Sequence, residues 1–490
     1  MKRLIVLLIF ICSNLFQSAL CQITKIVVKC DSVGSTFPVS AKLYFILKSK
    51  VLNKDAIFYP DYINPEPFFS KDFVNVEKGQ TLILDSSALG YPSKLNQISK
   101  GIYLGQAILN INTVERSYSM APKNTYSVPV LIDFSKDTVI TVAIDHVIQK
   151  KTFEPTNFIK ELSVPSKLLS DFYHSPTTVK AAIILPPSYW LQKDKYYPTV
   201  YVIPGYGGTH YDAVENSGTY VNNKNIEKIY VVLNPESFYG HHVFADSENN
   251  GPRATSLITE IIPFIEDTYR ALKDGRARFL EGHSSGGWSS LWLQINYPKV
   301  FGGAWAIAPD PVDFTSFDKV NLYGKNGNIF YDGSKARVLT RTPGDVKITY
   351  KELSDKEGVL GYGEQLGSFE AVFSTKGSNG RPEKLWNRQS GAINSEIFKN
   401  WQKYDISSVI VKNWPTLKDN LEGKLHIYVG SEDNFYLEDA VRVMKKKIDN
   451  LNTRFTLEIL KGHDHFSIYE DKEVNERINN EIEQSIKQNK

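Results

Sequence analysis

The sequence predicts an α/β fold, a mostly parallel sheet with helices on both faces, preceded by an all-β sandwich and interrupted by one long insertion. Three observations predict it. Short, continuously apolar runs such as Thr199–Ile203, Ile229–Leu233 and Gly303–Ala308 alternate with stretches of helical period, the pattern of a parallel sheet buried on both sides. The segment from Ile23 to about Lys150 shows period-two alternation in short runs and no long 3.6-residue stripe, as expected of a sandwich of about one hundred residues. Between them in importance stands Arg278–Trp288, an apolar run, then Gly282-His283-Ser284-Ser285-Gly286-Gly287, then the start of a helix. A serine bracketed by glycines between a strand and a helix is a nucleophile elbow, whose strained central residue needs neighbours without Cβ atoms.

Composition sets the outer limits. The chain has 490 residues, 42% hydrophobic and 23% charged, which is globular material with enough length for two or three full cores. Its formal net charge is +3, and removing Lys2 and Arg3 with a leader leaves 3 − 2 = +1. No field of that size favours nucleic acid or an anionic membrane, so the partner expected is small or neutral.

In chain order, Met1-Lys2-Arg3 followed by Leu4–Cys12 reads as a secretory signal, too short for a membrane span, with cleavage after Cys21 and localisation outside the cell or in the periplasm. A surface lipoprotein acylated at Cys21 is the rival, but it asks for a small residue where Leu20 stands. Two of the three cysteines lie in this leader, so the mature chain keeps Cys30 alone, a small buried hydrophobe with no disulfide partner. The domain boundaries expected are residues 22–155 for the sandwich and 156–490 for the α/β domain. Within the sandwich, Tyr59, Tyr62, Phe68 and Phe69 are candidates for glycan contact or for packing.

Thr199–Ile203 runs into Pro204-Gly205-Tyr206-Gly207-Gly208, a glycine-rich loop at a strand's carboxyl end whose Tyr206 N–H can meet a developing oxyanion. His241 and His242 with Asp246 and Glu248 invite a metal reading, but adjacent histidines do not suit one tetrahedral ion, and a substrate-side loop fits better. The helical run Leu257, Ile261, Ile265 contains Pro263, which should kink it or mark its first turn. Trp288, Leu291, Trp292 and Ile295 give the elbow helix one apolar stripe. Residues 311–423 are far longer than an ordinary connection, so they form an insertion that leaves a strand's carboxyl end and should cover the pocket as a lid. Its Trp386 and Trp401, with Trp414, could stack on a ring-bearing substrate or form a core. The sheet resumes at Leu425–Val429, followed by Gly430-Ser431-Glu432-Asp433, and ends with Phe455–Leu460 and Lys461-Gly462-His463-Asp464-His465 before a polar terminal helix.

A serine hydroxyl near neutral pH needs a base, and the base needs a carboxylate to fix its tautomer. Ser284, Asp433 and His463 occur at strand ends in the order Ser, Asp, His, with the N–H groups of Ser285 and Tyr206 as the oxyanion donors. His463 competes with His465, and Asp433 with Glu432, Asp310 and Asp464. His463 is preferred for following Gly462 directly, Asp433 for its place just past a buried strand. Acyl transfer of this kind needs neither cofactor nor metal.

The elbow, the Tyr197-Pro198-Thr199-Val200 strand with its glycine loop, the Gly-Ser-Glu-Asp loop and the Gly-His-Asp loop together resemble the esterase family that includes enterochelin esterases, feruloyl esterase domains, S-formylglutathione hydrolase and the mycolyltransferases. The resemblance covers about Lys160 to Lys490 apart from the insertion. It implies the α/β-hydrolase fold and Ser284, Asp433 and His463 as the triad. The insertion departs from the compact members, so no single member's substrate carries over. The leading expectation is a secreted serine esterase acting on a carbohydrate, phenolic or siderophore ester. An acyltransferase on the same scaffold and a non-catalytic glycan-binding surface protein are the alternatives. Nothing repeats at the blade length of an oligopeptidase propeller.

Overall fold

The computed structural model describes residues 25–30, 38–50, 56–215, 226–341 and 347–488. The expected leader, residues 1–21, lies outside the described residues. These fall into two compact units: one runs to Ile111 and resumes from Pro122 to Gln149, and the other joins Asn112–Ala121 to the chain from Lys150 onward.

In the first unit, Lys25–Cys30 lies between Thr81–Leu84 and Val139–Ile144. A second sheet is built around the antiparallel strands Val39–Lys48, Phe68–Val76 and Ile102–Asn110. Alternation does the work here: Ile26, Val28 and Cys30 turn inward while Lys25 and Lys29 face water. The inward rows of both sheets, including Ile26, Val28, Leu43, Phe45, Phe69 and Leu82, share one core. Phe68 and Phe69 are wholly buried, so they pack and do not offer a glycan surface; Tyr62 is exposed.

The second unit contains an eight-stranded sheet in the order Ile159–Pro165, Thr178–Ile184, Ile229–Leu233, Thr199–Ile203, Arg278–His283, Gly303–Ile307, Leu425–Gly430 and Thr456–Leu460. The first two pairings are antiparallel and the remaining five parallel. The central strands Thr199–Ile203, Ile229–Leu233 and Gly303–Ile307 are buried at every position, which is why they read as unbroken apolar runs. In the helical run before the elbow, Ile262 N–H bonds back to Leu257 O over one wide turn, and the regular helix Ile262–Thr268 starts there with Pro263 in its first turn. Proline supplies no N–H, so the first turn is where it costs least. The terminal helix Lys472–Gln488 buries Val474, Ile478, Ile482 and Ile486 along one stripe.

The insertion folds around its own aromatic core. Helices Tyr350–Leu360, Gln365–Phe373 and Ser395–Trp401 surround Phe314, Phe317, Phe369, Phe373 and Trp401. Trp401 donates to Ser374 Oγ at 2.9 Å and Trp386 to Ser354 Oγ at 3.2 Å. Trp414 is buried and packs edge-on against Phe455. All three tryptophans are therefore core residues. The insertion also touches the elbow helix Ser285–Asn296, through Phe373 against Trp288.

That helix leaves its strand at a very close backbone crossing. A Cβ on Gly286 would sit 1.8 Å from the carbonyl oxygen of Ile203, and one on Gly282 would sit 2.2 Å from that of Gly286. The atom met in each clash is a backbone oxygen and a Cβ has no torsion of its own, so neither can swing away. Gly286→Ala is expected to destabilise the protein by more than about 3 kcal/mol, the upper range for overpacking, as a fall in the thermal unfolding midpoint or loss of soluble protein.

Candidate active site

Ser284 occupies the turn between Arg278–His283 and Ser285–Asn296 with φ 56° and ψ −124°, a conformation that L-residues rarely adopt. Its N–H donates to Ile307 O at 2.9 Å, and its carbonyl accepts from Trp288 N at 3.0 Å and Asp310 N at 3.2 Å. The backbone on both sides is thus tied down, and the side chain is left half-buried above the carboxyl ends of the strands.

Asp433 follows the strand Leu425–Gly430 and is fully buried. Its Oδ1 accepts from Phe435 N at 2.8 Å and Leu437 N at 3.4 Å; its Oδ2 lies 2.7 Å from His465 Nδ1. His465 is equally enclosed, at 2% exposure, and its N–H donates to Asn434 Oδ1 at 3.0 Å. Phe435, Phe466 and His283 pack around its ring at 4.9, 5.2 and 4.6 Å between centroids. A carboxylate on Nδ1 fixes the tautomer in which Nδ1 carries the proton and leaves Nε2 basic.

The sequence expectation placed His463 on Asp433, and the structure does not bring those two side chains together. The His463 ring turns to Asp471, at 3.8 Å, while its backbone carbonyl accepts from Glu432 N at 2.9 Å. The reason is the turn itself: Gly462, at φ 79°, sends the next residue outward, and two further residues of irregular loop are needed before a side chain faces Asp433. In such a loop direction has no period, so spacing could not separate the two histidines. The rivals for the acid are also placed. Asp464 caps the following turn by accepting from Phe466 N and Ser467 N, and Glu432 is exposed.

Asp310 lies beside Ser284. Ser284 Oγ donates to its Oδ1 at 3.4 Å and Ser285 Oγ to its Oδ2 at 2.6 Å. Burial pushes its pKa up to about 6, against the pull of Ser285 and of His465. Behind it, Asp318 accepts from Tyr350 Oη at 2.8 Å, and burial pushes its carboxyl up to about 8. No feature of the sequence pointed to Asp318, which sits in a tight turn with Lys319 where both residues have positive φ.

The loop Pro204–Gly208 abuts the elbow: a Cβ on Gly205 would lie 3.2 Å from Ser284 Cβ. His241 braces that loop by donating from Nε2 to Pro204 O at 2.9 Å, and its Nδ1 accepts from Val243 N at 3.1 Å. Both ring nitrogens are therefore engaged by backbone, and burial holds the ring neutral by lowering its pKa to about 4. His242 is buried as well and accepts from Phe244 N through Nδ1. Among the described residues, no group of three or more His, Cys, Asp or Glu side chains could hold a metal ion. Ser285 is the first residue of its helix, where N–H groups have no intrahelical acceptor.

The insertion reaches this centre through Gln365 and Arg341, among other residues. Gln365 Nε2 donates to Ser285 Oγ at 3.4 Å. Arg341 donates from Nε to Asp433 O at 2.7 Å and from Nη2 to Glu438 Oε1 at 2.6 Å, while Asn434 Nδ2 donates to Arg341 O at 2.8 Å. The acid loop is thus held by an arginine from outside the parallel sheet. His283 stacks on Tyr469 and donates from Nε2 to His465 O at 2.9 Å, with its own pKa lowered to about 3 by burial. His426 stacks on Trp305 of the neighbouring strand, a structural place.

Residues 175–473 match the family model described as "Putative esterase". Among solved structures, the chain is similar to fluorophosphonate-binding serine hydrolase F of Staphylococcus aureus, at 12% identity over 67% of this chain and 98% of that one, with a TM-score of 0.42. An S-formylglutathione hydrolase from Agrobacterium tumefaciens matches at 16% identity over 67% of this chain and 97% of its own, with a TM-score of 0.40. A ferulic acid esterase from Anaeromyces mucronatus matches at 16% identity over 64% and 88%, with a TM-score of 0.32. Among the described residues, no helix is long and apolar enough to cross a membrane.

The carboxyl of Asp318 gives a pH test. Its folded pKa of about 8 stands above the ordinary value of 3.8, so the folded protein keeps a proton that the unfolded chain has released. This contribution to stability is present at low pH and is lost as pH rises towards 8. Asp318→Asn is expected to gain stability relative to wild type progressively between pH 4 and pH 8, with a constant difference above that, as followed by unfolding midpoints across the range.

Proposed function

The chain belongs to this esterase family and is an ester hydrolase, and from that premise we propose that it is a secreted serine esterase using Ser284, His465 and Asp433. The observation that carries the triad is the 2.7 Å contact between His465 Nδ1 and Asp433 Oδ2, both buried, beside a serine held in an elbow conformation. Secretion rests on the leader-like residues 1–21 and the expected mature start at Gln22.

In this reading, Ser284 Oγ swings from Asp310 towards His465, gives its proton to Nε2 and attacks the ester carbonyl. The imidazolium formed on His465 is opposed by Asp433, which keeps its carboxylate charge and the ring's orientation. The oxyanion is received by the N–H groups of Ser285 and Tyr206, each worth on the order of a hundredfold or more in rate. His465 then protonates the leaving alcohol, and a water activated by the same ring releases the acid from Ser284. No step needs a metal or a cofactor. Esters of carbohydrates, phenolic acids or siderophores are the proposed substrates, with the insertion, through Gln365 and its neighbours, shaping the acyl or alcohol side.

A panel of acetyl, feruloyl and catechol-type siderophore esters, run with variants, tests both chemistry and substrate group. Ser284→Ala is expected to lose activity on the order of a millionfold, and His465→Ala to match it within about tenfold. His463→Ala should stay within about threefold of wild type by kcat, because its ring lies against Asp471. Equal losses at His463 and none at His465 would return the base to His463. A fluorophosphonate probe should label wild type and fail on Ser284→Ala.

A further inference from the structure

The short segment Asn112–Ala121 is flanked on both sides by residues of the first unit, yet it belongs to the second. It carries Arg116, whose side chain is 9% exposed and lies among three loops of the esterase unit. Its Nε donates to Glu236 Oε1 at 2.5 Å, in the loop after the strand Ile229–Leu233. Its Nη1 donates to Tyr206 Oη at 3.0 Å, and its guanidinium carbon lies 4.4 Å from the centre of the Tyr206 ring. Tyr206 Oη in turn donates to Gly363 O at 2.9 Å, in the insertion. The arginine backbone is packed as closely as its head: a Cβ on Gly363 would lie 2.6 Å from Arg116 Cβ.

The charge is balanced on the spot. Burial opposes a charged guanidinium here, but Tyr206, Glu236 and Glu364 outweigh it and keep the group cationic. A buried, forked cation with carboxylates on one side and an aromatic face on another has little freedom to move. Tyr206 therefore has its ring stacked and its hydroxyl caught between Arg116 and Gly363. Tyr206 is also the residue whose main-chain N–H is the proposed oxyanion donor, one position past Gly205 and its contact with Ser284. A donor of this kind is effective only if its position is fixed before charge develops, since an ångström of drift costs much of its effect.

We propose that Arg116 is a positioning residue for ester hydrolysis, holding the Tyr206 side chain so that the Tyr206 N–H stays aimed at the oxyanion formed on the Ser284 adduct. His241, bonded to Pro204 O, anchors the same loop from its other end. The segment Asn112–Ala121 is thereby a working part of the catalytic centre, contributed from within the β-rich N-terminal sequence. This rests on the serine-esterase reading, with Tyr206 N–H in the oxyanion hole.

The test uses full-length protein and the variants Arg116→Met, Arg116→Lys, Tyr206→Phe and Arg116→Met/Tyr206→Phe, with Ser284→Ala as control. Arg116→Met is expected to lower kcat by about tenfold to a hundredfold with KM within about twofold, because the loss falls on the transition state. Affinity for a boronic acid that adds to the serine should fall by a similar factor, while affinity for the carboxylic acid product should not. Arg116→Lys should recover part of kcat, having the charge without the fork. The double variant should cost no more than Arg116→Met, as expected when two residues act through one contact. If Arg116→Met does not accumulate folded, Tyr206→Phe, which removes only the hydroxyl between Arg116 and Gly363, carries the same kcat and boronate readouts. Unchanged kcat and boronate affinity in these variants, or a rise in KM alone, would overturn the proposal while an inactive Ser284→Ala leaves the esterase reading standing. Hydrolysis that survives in Ser284→Ala would instead overturn the reading beneath it.

Discussion

Everything in the esterase unit is arranged about one close crossing of backbones, where the helix Ser285–Asn296 starts against the carbonyls of Ile203 and Pro204. The contact has room for hydrogen atoms and for nothing larger. It forces glycine at 282 and 286, tilts Ser284 into its positive-φ conformation and brings the loop Pro204–Gly208 within reach of the serine. A parallel sheet with buried central strands is the scaffold that can hold such a crossing, because the strands on either side cannot retreat without breaking their ladders.

Around that crossing the protein gathers more buried acid than one histidine can balance. Asp310, Asp318 and Asp433 lie within electrostatic reach of one another. The conflict is relieved by giving each a different environment. Asp433 receives His465 and two backbone N–H groups, Asp310 receives two serine hydroxyls, and Asp318 receives a tyrosine hydroxyl. Burial pushes the last two up to about 6 and about 8.

The strands were legible in the sequence because burial on both faces leaves an unbroken apolar run, and Thr199–Ile203 and Ile229–Leu233 have the bounds read from pattern alone. The elbow was legible because steric necessity writes glycine at fixed offsets. Asp433 also stands out, since it follows directly on a readable strand, and it meets a histidine of the final loop. Which histidine could not be read: His463 and His465 are chemically identical, and only the path of the loop after Gly462 separates them. Arg116 and Arg341 were invisible for a different reason. Each lies far from its partners along the chain, and a single arginine in a loop has no pattern until the fold closes around it. Asp310 was visible only as a rival for the acid, because its contact with two adjacent serines depends on where a strand end meets the elbow. The tryptophans of the insertion were ambiguous in sequence, because an aromatic residue looks the same in a core as in a binding wall. Their burial and their hydrogen bonds to Ser354 and Ser374 decide for the core.

Arg341 bears on how such a chain can be shortened. Its guanidinium reaches Asp433 O and the carboxylate of Glu438, and its own carbonyl accepts from Asn434. Trimming the insertion to the length of an ordinary connection would strand Glu438, at 4% exposure, without its cation and leave the Asp433 turn without its outer strut. The length of the connection between the strands Gly303–Ile307 and Leu425–Gly430 is therefore not an independent variable of this architecture. A compact version needs a different residue at 438 and another brace for the acid turn, so insertion length and acid-loop composition are expected to change together as a single heritable trait.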